Sequence, residues 1–311
     1  MKISIVTTMY YSEKYLEEFF RRIKSEVKKY TDDYEIIFVN DGSPDGSLEK
    51  AIHFQKEDEN VLVIDLSRNF GHHKAIMTGL SYSKGDRVFL IDCDLEEEPE
   101  LLSLFYEKLD AEPDADVVYG VQIKRKGNFF ERFSGEVFYT LMSFLSNINL
   151  PRNFVTARLM SRRYVTSLLE FKERELFLGG IWQITGYKQI PVQVVKLAKG
   201  ETTYTLRKKF SLLINSITSF SNKPLLYIFY TGILISFFSS IYIIYLIIRK
   251  LFWGIAIEGW ATVVVSVWIL GGINIFFMGI IGIYLSKIFI EVKNRPYTII
   301  RQIHKAKKDI Q

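Results

Sequence analysis

Hydrophobic and polar positions divide this chain into two unlike parts. Up to about residue 224, short apolar runs alternate with amphipathic stretches. Ile3–Thr7, Glu35–Asn40, Val61–Leu66, Arg87–Asp92 and Val117–Val121 read as short buried strands. Between them, Glu13–Tyr30, Ser47–Glu57, His73–Tyr82 and Glu100–Leu109 carry helical spacing. Strand and helix in alternation predict an α/β fold, with a mostly parallel sheet covered on both faces. Sites in such sheets lie beyond the C-terminal ends of the strands, so the residues just after each strand are where chemistry is sought.

The second part is nearly free of charge. From Leu225 to Ser286 only Arg249, Lys250 and Glu258 are charged, leaving uncharged runs over Leu225–Ile248 and Gly259–Ser286. As helices these reach ~36 and ~42 Å, enough to cross a hydrocarbon core of about 30 Å. Two crossings return the chain to its starting side. Eleven Lys and Arg flank the ends that face the main domain, from Arg207 to Lys308, against Arg249 and Lys250 in the connecting loop. The positive-inside rule then places the main domain and the C-terminus in the cytoplasm of a multi-pass protein of the inner (plasma) membrane. The apolar run before Glu13 is too short for a signal peptide and reads as the first strand.

Two further amphipathic stretches run from Phe130 to Ile148 and from Phe210 to Phe220. The second follows Arg207-Lys208-Lys209 and leads into the first apolar run, as expected of a helix lying in a membrane interface. The expected organisation is a catalytic domain over 1–205, an interfacial segment over 206–224, two spanning helices over 225–290 and a basic tail over 291–311.

Composition agrees with this division. The chain is 48% hydrophobic and 24% charged, an average over an α/β domain and a membrane anchor, which excludes a disordered chain or a coiled coil. The net charge of +5 suits an anionic surface or nucleotide and gives no reason to expect nucleic acid. Cys93 is the only cysteine, so neither an internal disulfide nor a cysteine zinc site exists.

Two strand ends carry candidate chemistry. Val39-Asn40-Asp41-Gly42-Ser43-Pro44-Asp45-Gly46-Ser47 is either ordinary turn punctuation or a carboxylate placed to accept from a ribose hydroxyl or a base N–H. After the fourth strand comes Asp92-Cys93-Asp94-Leu95-Glu96-Glu97-Glu98-Pro99-Glu100. In extended backbone Asp92, Asp94 and Glu96 would project to one side. An acidic helix start accounts for the later glutamates but not for Asp92. Oxygen-only ligands favour Mg²⁺ or Mn²⁺ held against a diphosphate. The adjacent His72 and His73 would point about 100° apart on a helix and so do not chelate together; they read as a helix start near the nucleotide.

Taken in order, Val39–Ser47, Arg68-Asn69-Phe70-Gly71 and Asp92-Cys93-Asp94 resemble glycosyltransferase family 2 with its Rossmann-like GT-A fold. Arg158-Leu159-Met160, Gly200-Glu201 with Tyr204, and Ile217–Ser221 before two apolar helices narrow the resemblance to polyprenyl-phosphate glycosyltransferases, of the dolichyl-phosphate mannosyltransferase and undecaprenyl-phosphate glucosyltransferase kind. The resemblance covers nearly the whole chain. It implies a hexosyltransferase taking a nucleotide-sugar donor, with Thr8, Tyr10, Asp41, Asp92 and Cys93 around the nucleotide. Asp94 with Glu96 would hold Mg²⁺ or Mn²⁺, and Asp92, Asp94 and Arg158 would be catalytic. A polyprenyl phosphate would meet Arg132, Ser134, Tyr204, Arg207 and Lys208. Related two-helix enzymes assemble through their membrane parts, so a homo-oligomer is expected.

The chain departs from the family pattern at five positions. Thr8 replaces Pro, Tyr11 replaces Asn, Gln122 replaces Arg, Thr203 replaces Lys, and Thr156 replaces the Asp of a Gly-Asp-Phe-Arg-Leu run. A hydroxyl acceptor needs a base near that last point, whereas a lipid phosphate is already ionised. The competing readings are transfer to a glycan or glycolipid hydroxyl, against which Thr156 argues, and a non-catalytic scaffold, against which the retained Asp41, Asp92 and Asp94 argue.

Overall fold

The structure is a computed structural model that describes residues 1–122, 140, 144–145, 151, 153–196, 214, 217–218, 221–253 and 259–306. They fall into two units. One draws on residues 1–139, 149–205 and 295–311, the other on 140–148 and 206–294.

The first unit is built on an eight-stranded sheet. Its strands are β1 (Ile3–Met9), β2 (Tyr34–Asn40), β3 (Val61–Leu66), β4 (Arg87–Leu90), β5 (Val117–Gln122), β6 (Phe154–Ser161), β7 (Gln189–Val194) and β8 (Ile300–His304), in the spatial order β7-β5-β6-β4-β1-β2-β3-β8. β1 pairs parallel with β2 and β4, and β2 with β3, while β6 and β8 run antiparallel to their neighbours. Every residue of β1 is buried, as a strand covered on both faces requires. The helices α1 (Glu13–Val27), α2 (Ser47–Glu57), α3 (His72–Tyr82) and α4 (Leu101–Asp110) connect the parallel strands. α1 turns Leu16, Phe19, Phe20, Ile23 and Val27 inward, where Phe20 stacks on Phe54 of α2 and Phe19 meets Phe38 of β2 edge-on. These contacts are the apolar face that makes the helix amphipathic.

On the other face α3 lies close to the sheet. A Cβ on Gly79 would come within 2.5 Å of Val6 Cγ1 and 2.9 Å of Val39 Cγ2, so only glycine permits this approach. Two short helices, α5 (Arg162–Leu169) and α6 (Leu178–Ile184), follow β6. Ser161 caps the first by accepting from the Tyr164 N–H at 3.2 Å.

Five strands and four helices match the sequence reading to within a few residues. β4 stops at Leu90 rather than Asp92, so the acidic run begins in a turn and not in extended backbone. β6, β7, α5 and α6 were not foreseen. Nor was the strand in the basic tail, whose Ile300–His304 completes the sheet of the first unit.

The second unit holds α7 (Lys223–Trp253) and α8 (Trp260–Val292), both long and apolar enough to cross a membrane. Their apolar side chains are exposed around the whole circumference, including Phe229, Phe237, Ile244, Trp268, Phe276 and Leu285. Such a surface fits a hydrocarbon surround rather than water. Within this unit Tyr284 of α8 donates to the Ser221 carbonyl at 2.6 Å, and Lys223 donates to the Phe144 carbonyl at 2.8 Å. The amphipathic stretches around Phe130–Ile148 and Phe210–Phe220 lie mostly outside the described residues.

Gly79→Val should lower stability by about 2 kcal/mol, because overpacking against Val6 and Val39 outweighs a small gain in helix propensity. Thermal unfolding of the purified chain should show a midpoint several degrees lower; an unchanged midpoint would mean that the α3–sheet contact is looser than described.

Candidate active site

The strand order reverses between β4 and β1, and in open α/β sheets the loops after the two strands at such a switch point diverge to leave a crevice. His72 spans it. Its Nδ1 lies 3.1 Å from Thr8 Oγ1 at the end of β1, and its Nε2 lies 3.4 Å from Asp92 Oδ1 just past β4. His73 turns away, its Nδ1 3.0 Å from the Leu176 carbonyl and its ring edge-on to Phe177. The two rings therefore serve different neighbours, as their helical offset requires. Burial pushes His73 below the ordinary histidine pKa of 6.5, so its neutral form donates to Leu176.

Asp41 is 3% exposed, and its two carboxylate oxygens accept from the Phe70 N–H at 2.7 Å and the Gly71 N–H at 3.0 Å. Burial raises its pKa, and these two N–H bonds only partly oppose the rise. The residue thus ties the loop after β2 to the loop after β3. Gly42 makes the junction possible: its φ is +65°, and a Cβ there would sit 2.5 Å from the Asn69 nitrogen. Arg68 lies over the Phe70 ring at 4.1 Å. Nearby, Tyr10 and Tyr11 form an exposed edge-to-face pair 4.8 Å apart.

The acidic run folds into a turn around Leu95, which adopts a φ of +59°. Asp94 Oδ1 accepts from the Glu96 N–H at 3.1 Å, and Glu96 is ion-paired with Lys196 Nζ at 2.8 Å. Glu97, 1% exposed, accepts from the Thr156 N–H at 3.1 Å and the Ala157 N–H at 2.7 Å. Burial, with the charge of Asp92, pushes Glu97 up to about 7. Burial opposes the charge on Lys196, but its bond to Glu96 and the charges of Glu97, Glu96 and Asp92 outweigh that and raise its pKa. A cavity of about 280 Å³ opens beside these groups, lined by His72, His73, Gln122, Thr156, Trp182 and Lys196 among others.

Among the described residues no three His, Cys, Asp or Glu side chains assemble into a protein-only metal cage. Asp92 and Asp94 at one strand end do fit the arrangement in which one or two carboxylates share Mg²⁺ or Mn²⁺ with substrate phosphates. Glu96 is committed to Lys196 instead.

Thr8, Tyr10, Asp41, Asp92 and Asp94 therefore gather around the same ends of the sheet. Cys93 does not face this side. Its thiol is buried in the core, donates to the Thr8 carbonyl at 3.1 Å and is pushed up to about 12 by burial, so only its backbone borders the site. Arg158 was expected to be catalytic, but it is 2% exposed, packs against Trp182 and donates to the Thr156 carbonyl at 3.2 Å. Burial depresses its pKa to about 9. It shapes β6 from behind rather than reaching the cavity. Arg132, Ser134, Tyr204, Arg207 and Lys208 lie outside the described residues. Glu97 and Lys196 are site residues that sequence reasoning missed, and His72, read as a helix start near the nucleotide, gains contacts with Thr8 and Asp92 that the sequence did not indicate. Lys196 follows β7 by two residues, so recognising that strand would have exposed it.

Comparison with known proteins decides the family. The model described as glycosyl transferase family 2 matches residues 4–169. This chain belongs to glycosyl transferase family 2. A protein of Mycobacterium tuberculosis described as a glycosyltransferase is 53% identical over 98% of this chain and 89% of its own. The prophage-derived bactoprenol glucosyl transferase of Shigella flexneri is 33% identical over 98% of this chain and 99% of its own. Among solved structures, glucosyl-3-phosphoglycerate synthase from Mycobacterium tuberculosis, in complex with Mn²⁺, UDP-glucose and phosphoglyceric acid, superposes with a TM-score of 0.50. The identity is 19%, covering 70% of this chain and 79% of that one, a likeness of GT-A fold. The protein is thus a glycosyltransferase whose GT-A domain carries two C-terminal apolar helices.

His73 makes stability depend on pH in this glycosyltransferase. Because its folded pKa is depressed, the unfolded chain binds the proton first as pH falls towards the ordinary value of 6.5. Its contribution is complete above the unfolded value and is lost as pH falls through the depressed folded value. Chemical denaturation between pH 7.5 and 5 should show a steeper loss for the wild type than for His73→Gln; equal slopes would remove His73 as the source.

Proposed function

We propose that this glycosyltransferase moves a hexose from a UDP-sugar to a polyprenyl phosphate, specifically undecaprenyl phosphate, with inversion at the anomeric carbon. The observation that carries this reading is the match to bactoprenol glucosyl transferase along essentially the full length of both chains, apolar helices included. Bactoprenol is undecaprenol, the parent alcohol of that acceptor.

The chemistry of the site supports it. One ionised oxygen of the lipid phosphate attacks the anomeric carbon. As that C–O bond forms, the bond from the carbon to the diphosphate oxygen breaks, and the electron pair departs with UDP. No proton has to leave the nucleophile, which suits Thr156, a hydroxyl where a hydroxyl-acceptor enzyme needs a carboxylate base. Asp94, with Asp92, holds Mg²⁺ or Mn²⁺ in this reading, and the ion's contribution is to neutralise charge on the departing diphosphate. His72 fixes Asp92 from the side of β1, and Lys196 brings a positive charge to the mouth of the cavity.

The two apolar helices hold the enzyme at the bilayer that contains the acceptor, turning a search in three dimensions into one in two. The basic flanks of those helices support a cytoplasmic sheet unit at the inner membrane by the positive-inside rule. β8 supports the even number of crossings, because it follows α8 yet pairs with β3.

Purified protein supplied with a panel of UDP-hexoses and undecaprenyl phosphate should form a lipid-linked hexosyl phosphodiester. EDTA should stop the reaction, and Mn²⁺ or Mg²⁺ should restore it. Asp94→Asn should lower kcat by roughly two orders of magnitude while the melting temperature holds, the scale of a few kcal/mol of lost charge stabilisation. Transfer to a glycan hydroxyl but not to the lipid phosphate would overturn the acceptor, and full activity of Asp94→Asn in EDTA would overturn the metal role.

A further inference from the structure

The strand that returns from the apolar helices reaches into the structure around Asp41. β8 pairs antiparallel with β3, Ile64 opposite Ile303 and Asp65 opposite Gln302, with a register shift between Asp65 and Leu66. At that irregularity Arg301 bridges two backbone levels. Its NH1 lies 3.3 Å from Asp65 Oδ2, and its NH2 donates to the Ser67 carbonyl at 2.7 Å. The Ser67 N–H in turn donates to the Ile299 carbonyl at 2.9 Å. Nearly two turns into α3, Thr78 Oγ1 lies 2.8 Å from Thr298 Oγ1. Residues 298–301 therefore grip the β3–α3 connection on both sides of Phe70 and Gly71, the two residues whose N–H groups bind Asp41.

A second path reaches the same carboxylate. Asp65, only 3% exposed, accepts from Asn40 Nδ2 at 2.8 Å through its other oxygen. Asn40 Oδ1 then accepts from the Ser43 N–H at 3.1 Å. Asp41 sits between Asn40 and the turn that this bond closes. Arg301 thus stands behind both loops that carry Asp41. Its own head is more than half exposed, so direct Coulomb attraction across water is screened. Its weight comes from Asp65: without Arg301 a buried carboxylate keeps Asn40 as its side-chain donor and is otherwise uncompensated, which drives the strand end to rearrange.

We infer that Arg301 is a positioning residue for the nucleoside-diphosphate donor, acting through Asp65 and Ser67 on the two loops that hold Asp41. This rests on the donor half of the function proposed above, and it assigns to a residue beyond the apolar helices a part in holding loops whose own residues, Asp41, Phe70 and Gly71, come from the first quarter of the chain.

The test uses the full-length purified protein and titration calorimetry with UDP, and with GDP as the alternative nucleotide. Arg301→Ala should weaken UDP binding and raise KM for the UDP-sugar roughly tenfold, with kcat within about twofold, as expected from losing a charge-assisted contact. Arg301→Lys, which keeps the charge and one donor direction, should recover most of the affinity. Asp65→Asn should weaken UDP binding in the same direction, and the double variant Arg301→Ala/Asp65→Asn should be no worse than the weaker single one, because both act through one contact. Asp65→Asn carries the test alone should Arg301→Ala fail to fold. Wild-type UDP affinity in the single variants, a fall in kcat at unchanged KM, or additive losses would overturn the inference and leave the proposed reaction standing. A wild-type chain that binds neither UDP nor GDP would overturn the donor reading and this inference with it.

Discussion

Carboxylates buried at the ends of strands are the constraint around which this domain is arranged. An ionised carboxylate removed from water is tolerated only where N–H groups or cations meet it. Asp41 takes the amides of Phe70 and Gly71; Glu97 takes those of Thr156 and Ala157; Asp65 takes Asn40 and Arg301. Asp116 repeats the device at the opposite end of the sheet, with Ser161 and Arg163. Each joins backbone segments that are distant in sequence. The crevice at the β1–β4 switch point keeps its shape because its walls are pinned by charges that cannot be left unpaired.

This explains why the fold was more legible than the site. β1 to β4 and the helices between them repeat a buried apolar strand and an amphipathic helix, a pattern local enough to read directly. β6 was hidden by Arg158, a cation in the middle of a strand that burial against Trp182 accommodates. β7 contains Pro191 and is half exposed, as suits a strand at the sheet margin. β8 consists of two isoleucines and three polar residues, Ile-Arg-Gln-Ile-His, with no buried position to mark a strand. Asp41, Asp92 and Asp94 could be picked out because a carboxylate directly after an apolar strand is unusual. Their partners could not. Which glutamate of Glu96-Glu97-Glu98 is buried depends on where β6 passes, and the pairing of Lys196 with Glu96 depends on β7.

The same dependence corrects two expectations about individual residues. A motif says that an arginine or a cysteine stands at a position, but not which way its side chain leaves the backbone. Cys93 lies between Asp92 and Asp94, yet its thiol turns into the core and donates to the Thr8 carbonyl, while Asp92 meets His72. Arg158 lies on β6 beside Leu90 and Tyr119, and its head is enclosed under Trp182. Its bond to the Thr156 carbonyl lies on the strand that presents Thr156 and Ala157 to Glu97.

The edge of the sheet completes the argument. Without β8, β3 would present a free row of N–H and C=O groups, and Asp65 would lose its cation. The chain covers that edge with residues that come after two long apolar helices, not with a segment close in sequence. If both helices cross a bilayer, their number has to be even for the returning strand to meet β3; an odd number would strand it on the far side. Anchor topology and donor-loop geometry are then one requirement. The strand that closes the sheet is available only to a chain whose membrane segment brings it back, and the arginine that steadies the loops around Asp41 arrives on that strand.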